Sequence, residues 1–157
     1  MTTLITPQEV LQRGFAGIAP LSPEMVTSAD ILAAEERYLI PAIGPALHAR
    51  LLQGNDASFV ADYLAAPLAL FTRLLIQPRL QLLTTRIGML EPSTDQGSAA
   101  KTASLNRLQQ SLRSEASTLL RRAIRYLEAH ASEYPEYDPH QNILNRCTIH
   151  GNYLQIH

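Results

Sequence analysis

The sequence predicts an all-α domain, a helical bundle around a central kinked helix, with a short extended or β tail at the C-terminus. Three observations carry this expectation. Leu (25) and Ala (20) dominate the 157 residues, while Val contributes 3 and aromatics only 6%; Leu and Ala favour helices, and strands draw on Val, Ile, Thr and aromatics. Apolar residues recur at a spacing of three to four along the long segments. That spacing is lost after residue 139, so a helical domain is expected over 1–139 and an extended, partner-ordered tail over 140–157. A chain of this length can bury one core without staples.

Thr6-Pro7-Gln8-Glu9 places a capping residue before proline, with Glu9 positioned for a capping box, so a short helix is expected to Arg13, ending at Gly14. Gly17 to Leu21 reads as loop. Ser22-Pro23-Glu24 is a second start signal, and Ser28 with Asp30 a third. Ile31, Leu32, Glu35, Tyr38 and Leu39 form an amphipathic helix expected to stop before Pro41. Pro45 restarts a helix through Leu52, and Gln53-Gly54-Asn55 ends it.

Asp56 opens a helix that Pro67 is expected to interrupt. LALFTRLLIQPRLQLLTTR then runs to Arg86, apolar around most of its circumference and therefore central, with a kink at Pro78. Arg86 to Leu90 reads as a short extended stretch, and Glu91 to Thr102 as a polar, flexible loop. The longest helix is expected from about Ala103 to Ala131. Leu105, Leu108, Leu112, Leu119, Ala123 and Leu127 lie on one side; Arg107, Gln110, Ser114, Arg121, Arg125 and Glu128 lie on the other. Tyr134-Pro135-Glu136-Tyr137-Asp138-Pro139 closes it. In the tail, Ile143, Leu144, Ile149, Tyr153, Leu154 and Ile156 are clustered apolars, and Gly151-Asn152 suits a hairpin turn. Two strands alone are marginal in water, so the tail either pairs back on Ile87 to Leu90 or adds to a neighbouring chain.

Several classes are excluded. A single cysteine, Cys147, forms no internal disulfide. No continuous apolar run reaches a membrane helix's length, and no basic start or apolar signal core marks the N-terminus, so neither membrane insertion nor export is expected. The net charge of −1 hides a pattern. Residues 1–72 carry three bases against seven acids, 73–127 nine against three, and 128–157 one against four. Those segments are −4, +6 and −3, and twelve of the thirteen bases are arginine. The middle either pairs with both ends inside one fold, or presents a basic face to a neighbouring subunit or to nucleic acid.

The chemistry-bearing residues do not assemble into a catalytic motif. Glu35 and Glu36 point about 100° apart on a helix, which reads as a solvated face. His140, His150, His157 and Cys147 could offer metal ligands, but lack the paired CxxC or HxxxH spacing of a structural zinc site. Cys147 has no base or oxyanion context, and the seven glycines form no phosphate loop. No enzyme, cofactor or metal is expected.

Three segments carry a family resemblance: ILAAEERYLIPAIGPALHARLL (31–52), LLTTRIGMLEPSTDQGSAAK (82–101) and YLEAHASEYPEYDP (126–139). Glu35, Tyr38, Ile40, Pro41 and Gly44, with Tyr134-Pro135-Glu136-Tyr137, contribute most. Over about residues 5–139 the chain resembles the small helical head–tail connector (adaptor) proteins of tailed phages and prophages, in the form common among Bacteroidetes. That resemblance implies a virion-neck protein, assembled in the host cytoplasm, forming a ring of commonly twelve copies. The ring joins the portal to the stopper or tail, while DNA passes through its centre without sequence-specific binding. The family supplies no catalytic residue to carry over. Interface candidates are Ser98 and Lys101 in the loop, Ile149, Tyr153, Leu154 and Ile156 in the tail, and Arg107, Arg121 and Arg125 on the long helix. Two other readings stay open: a bacterial helical adaptor or regulator taking a partner helix, and a small DNA-binding protein using Arg107, Arg113, Arg121, Arg122 and Arg125.

Overall fold

The computed structural model describes residues 2–16, 22–87, 95–145, 147–150 and 153–156, with only the backbone course of 82–87, 95–101 and the last two segments. Among the described residues, seven helices form an all-α body. Helix α1 (Pro7–Gly14) starts from a complete capping box, in which the Thr6 hydroxyl accepts from the Glu9 N–H and the Glu9 carboxylate accepts from the Thr6 N–H. Helix α2 (Ser28–Ala34) repeats the device with Thr27 and Asp30, one residue ahead of the expected Ser28 cap. Pro23–Met25 forms one 3₁₀ turn before it.

Two prolines expected to stop helices do not. A proline ring clashes with the carbonyl four residues earlier, here Arg37 for Pro41 and Tyr63 for Pro67. In both places the helix widens into a π-turn just ahead of the proline. Glu35–Leu39 is one such turn, with the Ile40 N–H reaching the Glu35 carbonyl, and it leads into α3 (Ile40–Ile43). Val60–Leu64 is the other, with the Ala65 N–H reaching the Val60 carbonyl. It joins α5 (Ala57–Phe59) to α6 (Ala65–Ile87). The extra residue takes up the steric conflict, so the chain keeps its direction. Gly44, at φ +87°, makes the real break before α4 (Pro45–Leu52). Asp56, at φ +62°, makes the turn into α5.

Helix α6 is the centre, as its all-round apolar character requires, and it runs unbroken through Pro78. Leu68, Ala69, Leu70, Phe71, Leu74, Ile76 and Leu80 are buried on it. The run Ala57–Gln81 is long and apolar enough to cross a membrane by length and composition alone, but most of it lies inside this body. Helices α1, α2 and α7 (Asp95–Ala129) pack around α6. At Gly14 the approach is so close that a Cβ would lie 2.9 Å from the Ala69 carbonyl oxygen. Arg73 stabilises this joint by donating to the Gly14 carbonyl at 2.8 Å and stacking on Phe15. Burial lowers the Arg73 pKa from the ordinary arginine value, with Glu115 partly offsetting it.

Helix α7 begins at Asp95, so residues 95–102 are helix rather than the expected loop. Its buried stripe is Leu112, Ala116, Leu120, Ala123, Ile124 and Leu127. The expected stripe was partly out of register: Leu105, Leu108 and Leu119 are only half-buried. After Ala129 the chain turns back through Tyr134 and Tyr137, both buried. Residues 140–145, expected to begin the extended tail, pack with the helices instead. Asn142 is 1% exposed, its amide donates to the Tyr137 hydroxyl, and the Ile143 N–H donates to the Pro41 carbonyl.

Extended structure starts at β1 (Cys147–His150), paired antiparallel with β2 (Tyr153–Ile156) in the register Cys147–Ile156, Thr148–Gln155, Ile149–Leu154 and His150–Tyr153. Among the described residues each strand pairs only with the other. Arg86 and Ile87 are helical. Residues 88–90, the other part of the expected partner stretch, and the expected loops at 17–21 and 91–94 lie outside the described residues.

Candidate functional site

Two groups of polar side chains stand out, one turned inward and one turned outward. The inward group begins at Glu35. Its position among Ile31, Ala34 and Leu39 places it on the apolar side of α2, and the carboxylate is completely buried. Oε1 accepts the Leu4 N–H at 2.7 Å, and Oε2 lies at hydrogen-bond distance, 3.1 Å, from His48 Nε2. The expectation of a solvated Glu35 is therefore overturned, since burial of a carboxylate is tolerated only with such partners. The Glu35–His48 pair pins the N-terminal arm and α4 to the π-turn. Neither residue lines either groove described below.

Arg50 makes a second joint. Nη1 donates to the Glu133 carbonyl at 3.0 Å and to Glu136 Oε2 at 2.8 Å; Nη2 lies 2.9 Å from Asp56 Oδ2. The guanidinium also sits over the Tyr134 ring. Its pKa is raised by the Glu136 hydrogen bond and the Asp56 and Glu136 charges, despite burial acting the other way. Glu136 is held below the usual carboxylate range by a backbone hydrogen bond and by Arg50. Beside it, Phe59, Tyr63, Tyr126 and Tyr134 form a packed aromatic cluster that His130 extends at 4.1 Å from Tyr126. A third joint ties Arg79 to both Asp30 oxygens and to the Met25 carbonyl. Burial opposes Asp30 ionisation, but the bonds from Arg79 and Thr27 outweigh it and lower its pKa.

The outward group lies on α7. Arg107, Ser111, Ser114, Thr118, Arg121 and Arg125 are all exposed. They follow alternating steps of four and three residues, so they share one face of the helix. Among the described residues Arg107, Arg113, Arg121 and Arg125 make no ion pair, whereas Arg122 stacks on Tyr63 at 4.8 Å. Arg121 and Arg125 border an open groove of about 490 Å³ with Thr118, Ile124, Glu128, Leu144 and Asn145. Arg113 borders a smaller one of about 280 Å³ with Leu74, Asn106, Gln109 and Gln110.

Of the sequence-derived candidates, the structure brings Arg107, Arg121 and Arg125 onto one face. Ser98 and Lys101 lie in the first turns of α7, and Ile149, Tyr153, Leu154 and Ile156 in the hairpin; the surroundings of these six side chains lie outside the described residues. Sequence reasoning missed Glu35, His48 and Arg50. An acid on the apolar side of an amphipathic helix was the signal for Glu35; nothing local marked His48 or Arg50. Among the described residues no cluster of three or more His, Cys, Asp or Glu could hold a metal ion.

Segments 31–52 and 126–139 meet here, through Arg50 on the Glu133 carbonyl and on Glu136. No curated protein and no solved structure matches the chain. Residues 28–146, which hold the Glu35–His48, Arg50–Glu136 and Asp30–Arg79 pairs and the α7 face, match the model of a family of unknown function, DUF6712, and the chain belongs to that family.

Proposed function

We propose that this protein is a head–tail connector (adaptor) subunit of a tailed phage or prophage particle, forming a ring between the portal and the stopper or tail. The observation that most supports this reading is the hairpin at 147–156, whose strands pair only with each other among the described residues. A two-stranded ribbon needs a third strand or a packed face to be stable, and a head-to-tail ring supplies one from each neighbour. The helical body is locked by the buried Glu35–His48 pair and the Arg50 joint, which suits a rigid ring segment. Two of the three segments that carry its resemblance to connectors meet at Arg50.

The test is assembly with a cognate portal, followed by negative-stain imaging and mass photometry. Rings on the portal are expected, and a mixture with neither ring nor complex overturns the reading. Removing residues 147–157 is expected to abolish assembly while leaving helicity and melting nearly unchanged. Large loss of helicity would assign the hairpin to the core of the same chain instead.

A further inference from the structure

The outward face of α7 carries three arginines, Arg107, Arg121 and Arg125, that make no ion pair among the described residues. In residues 1–72, four of the seven acids are already engaged: Glu35 by Leu4 and His48, Asp30 by Arg79, Asp56 by Arg50, and Glu9 in the cap of α1. The exposed acids left there are Glu24, Glu36 and Asp62, and exposed Arg13 and Arg37 lie in the same segment. Another copy of this chain therefore has no strongly acidic face to offer through this region. The α7 face also lacks the apolar centre of a stable protein interface; its six residues are three arginines, two serines and a threonine.

That set matches a phosphate backbone. Arginine forks and short hydroxyls are the side chains that bind phosphate oxygens without reading sequence. From Arg107 to Arg125 the face extends about 27 Å along the helix axis, at roughly 1.5 Å per residue. This length follows about eight base pairs of duplex at roughly 3.4 Å each. Two exposed acids flank the face: Glu115, whose charge acts on Arg73, and Glu128 at the C-terminal end, bonded through Oε1 to the Asn145 amide at 3.2 Å. Thr118 donates its hydroxyl proton to the Ser114 carbonyl at 2.9 Å, so the side chains of this face that can donate to phosphate are the three arginines and the two serines.

We propose that the Arg107–Arg125 face of α7 contacts the phosphates of double-stranded DNA without sequence preference. As the surface lining the channel of a ring, this rests on the connector reading above; the phosphate contact itself can be measured on the protein alone. Few arginines per subunit favour weak contacts, which lets DNA move along the surface.

Fluorescence anisotropy with two 30-base-pair duplexes of unrelated sequence tests it. Binding is expected at low salt with equal affinity for both. The logarithm of affinity should fall with the logarithm of salt concentration at a slope of about −3, as three phosphate contacts require. The triple substitution Arg107→Gln, Arg121→Gln and Arg125→Gln should lower low-salt affinity at least about 30-fold and flatten that slope. Arg13→Gln, exposed elsewhere, should change it less than twofold, and circular dichroism should show both variants folded. Arg121→Gln alone, expected to weaken binding several-fold, serves if the triple variant does not fold. No binding at low salt, or unchanged binding by the triple variant, overturns the proposal. Equal binding to polyglutamate of matched charge overturns it in favour of an acidic protein partner. A triple variant that binds DNA normally but no longer forms rings on the portal makes the face a subunit contact. Loss of DNA binding with rings intact supports the proposal, and failure of rings with DNA binding intact removes only the connector reading.

Discussion

The first third of the chain and helix α7 are opposite in charge, and they use that charge in opposite ways. Between Thr2 and Leu52 the charged side chains close the fold: Glu35 is buried against His48, Asp30 is clamped by Arg79, and Arg50 holds Asp56 and Glu136. Along α7 the arginines at 107, 113, 121 and 125 have no ion-pair partner among the described residues. A −4 segment beside a +6 segment suggests two complementary faces. The structure leaves one of them, because four of the seven acids of residues 1–72 are engaged inside the molecule, whereas Arg107, Arg113, Arg121 and Arg125 make no ion pair among the described residues.

This contrast is sharpest in stability measurements. Glu35→Ala leaves the half-buried Leu4 N–H and the buried His48 ring nitrogen without their partner, and should cost about 3 kcal/mol in urea unfolding. Glu35→Gln, which keeps one acceptor, should cost less; equal losses would mean the carboxylate charge itself holds the joint. Gly14→Ala should cost about 1–3 kcal/mol, since its Cβ meets the Ala69 carbonyl and α1 must move off α6. A neutral or stabilising result would show that α1 shifts freely. Arg50→Ala should lose about 1 kcal/mol, because its partners are half-exposed and solvent screens each pair.

Acid titration separates the regions in another way. Asp30 has a lowered pKa when folded, so its contribution is complete above the ordinary aspartate value of 3.8 and is lost as pH falls below it. Arg79→Gln should therefore reduce the acid sensitivity of melting between about pH 4 and pH 2. The same titration with Arg125→Gln should overlay the parent curve. Smallest of all, Arg107→Gln, Arg121→Gln and Arg125→Gln should each move stability by less than about 0.5 kcal/mol. A larger loss from any of them would show a hidden internal contact and break the comparison.

Much of the local structure was legible before folding was considered. The Thr6–Glu9 box starts α1 where the sequence places it, and Pro45 and Asp56 open helices as their backbone preferences require. The all-round apolar segment around Leu68–Leu80 lies in the middle of the body. These features depend on neighbours within a turn or two of helix, so a linear reading reaches them. The arginine face was legible for the same reason, since a 3.6-residue period needs no tertiary information.

The remaining features were decided by contacts between distant residues. Pro41 and Pro67 are helix stops by local rules, but both segments are buried against α6 or within its line, and one π-turn each retains that packing. Glu35 reads as solvated because its partners are 31 residues before it and 13 after it, the Leu4 N–H and His48. Residues 140–145 read as tail until Asn142 meets Tyr137 and Ile143 meets Pro41. The sequence by itself determined a helical protein and which helix face would be basic, because propensity and period are local. Only the tertiary structure decided which charges were consumed, because an ion pair forms between surfaces that the fold brings together.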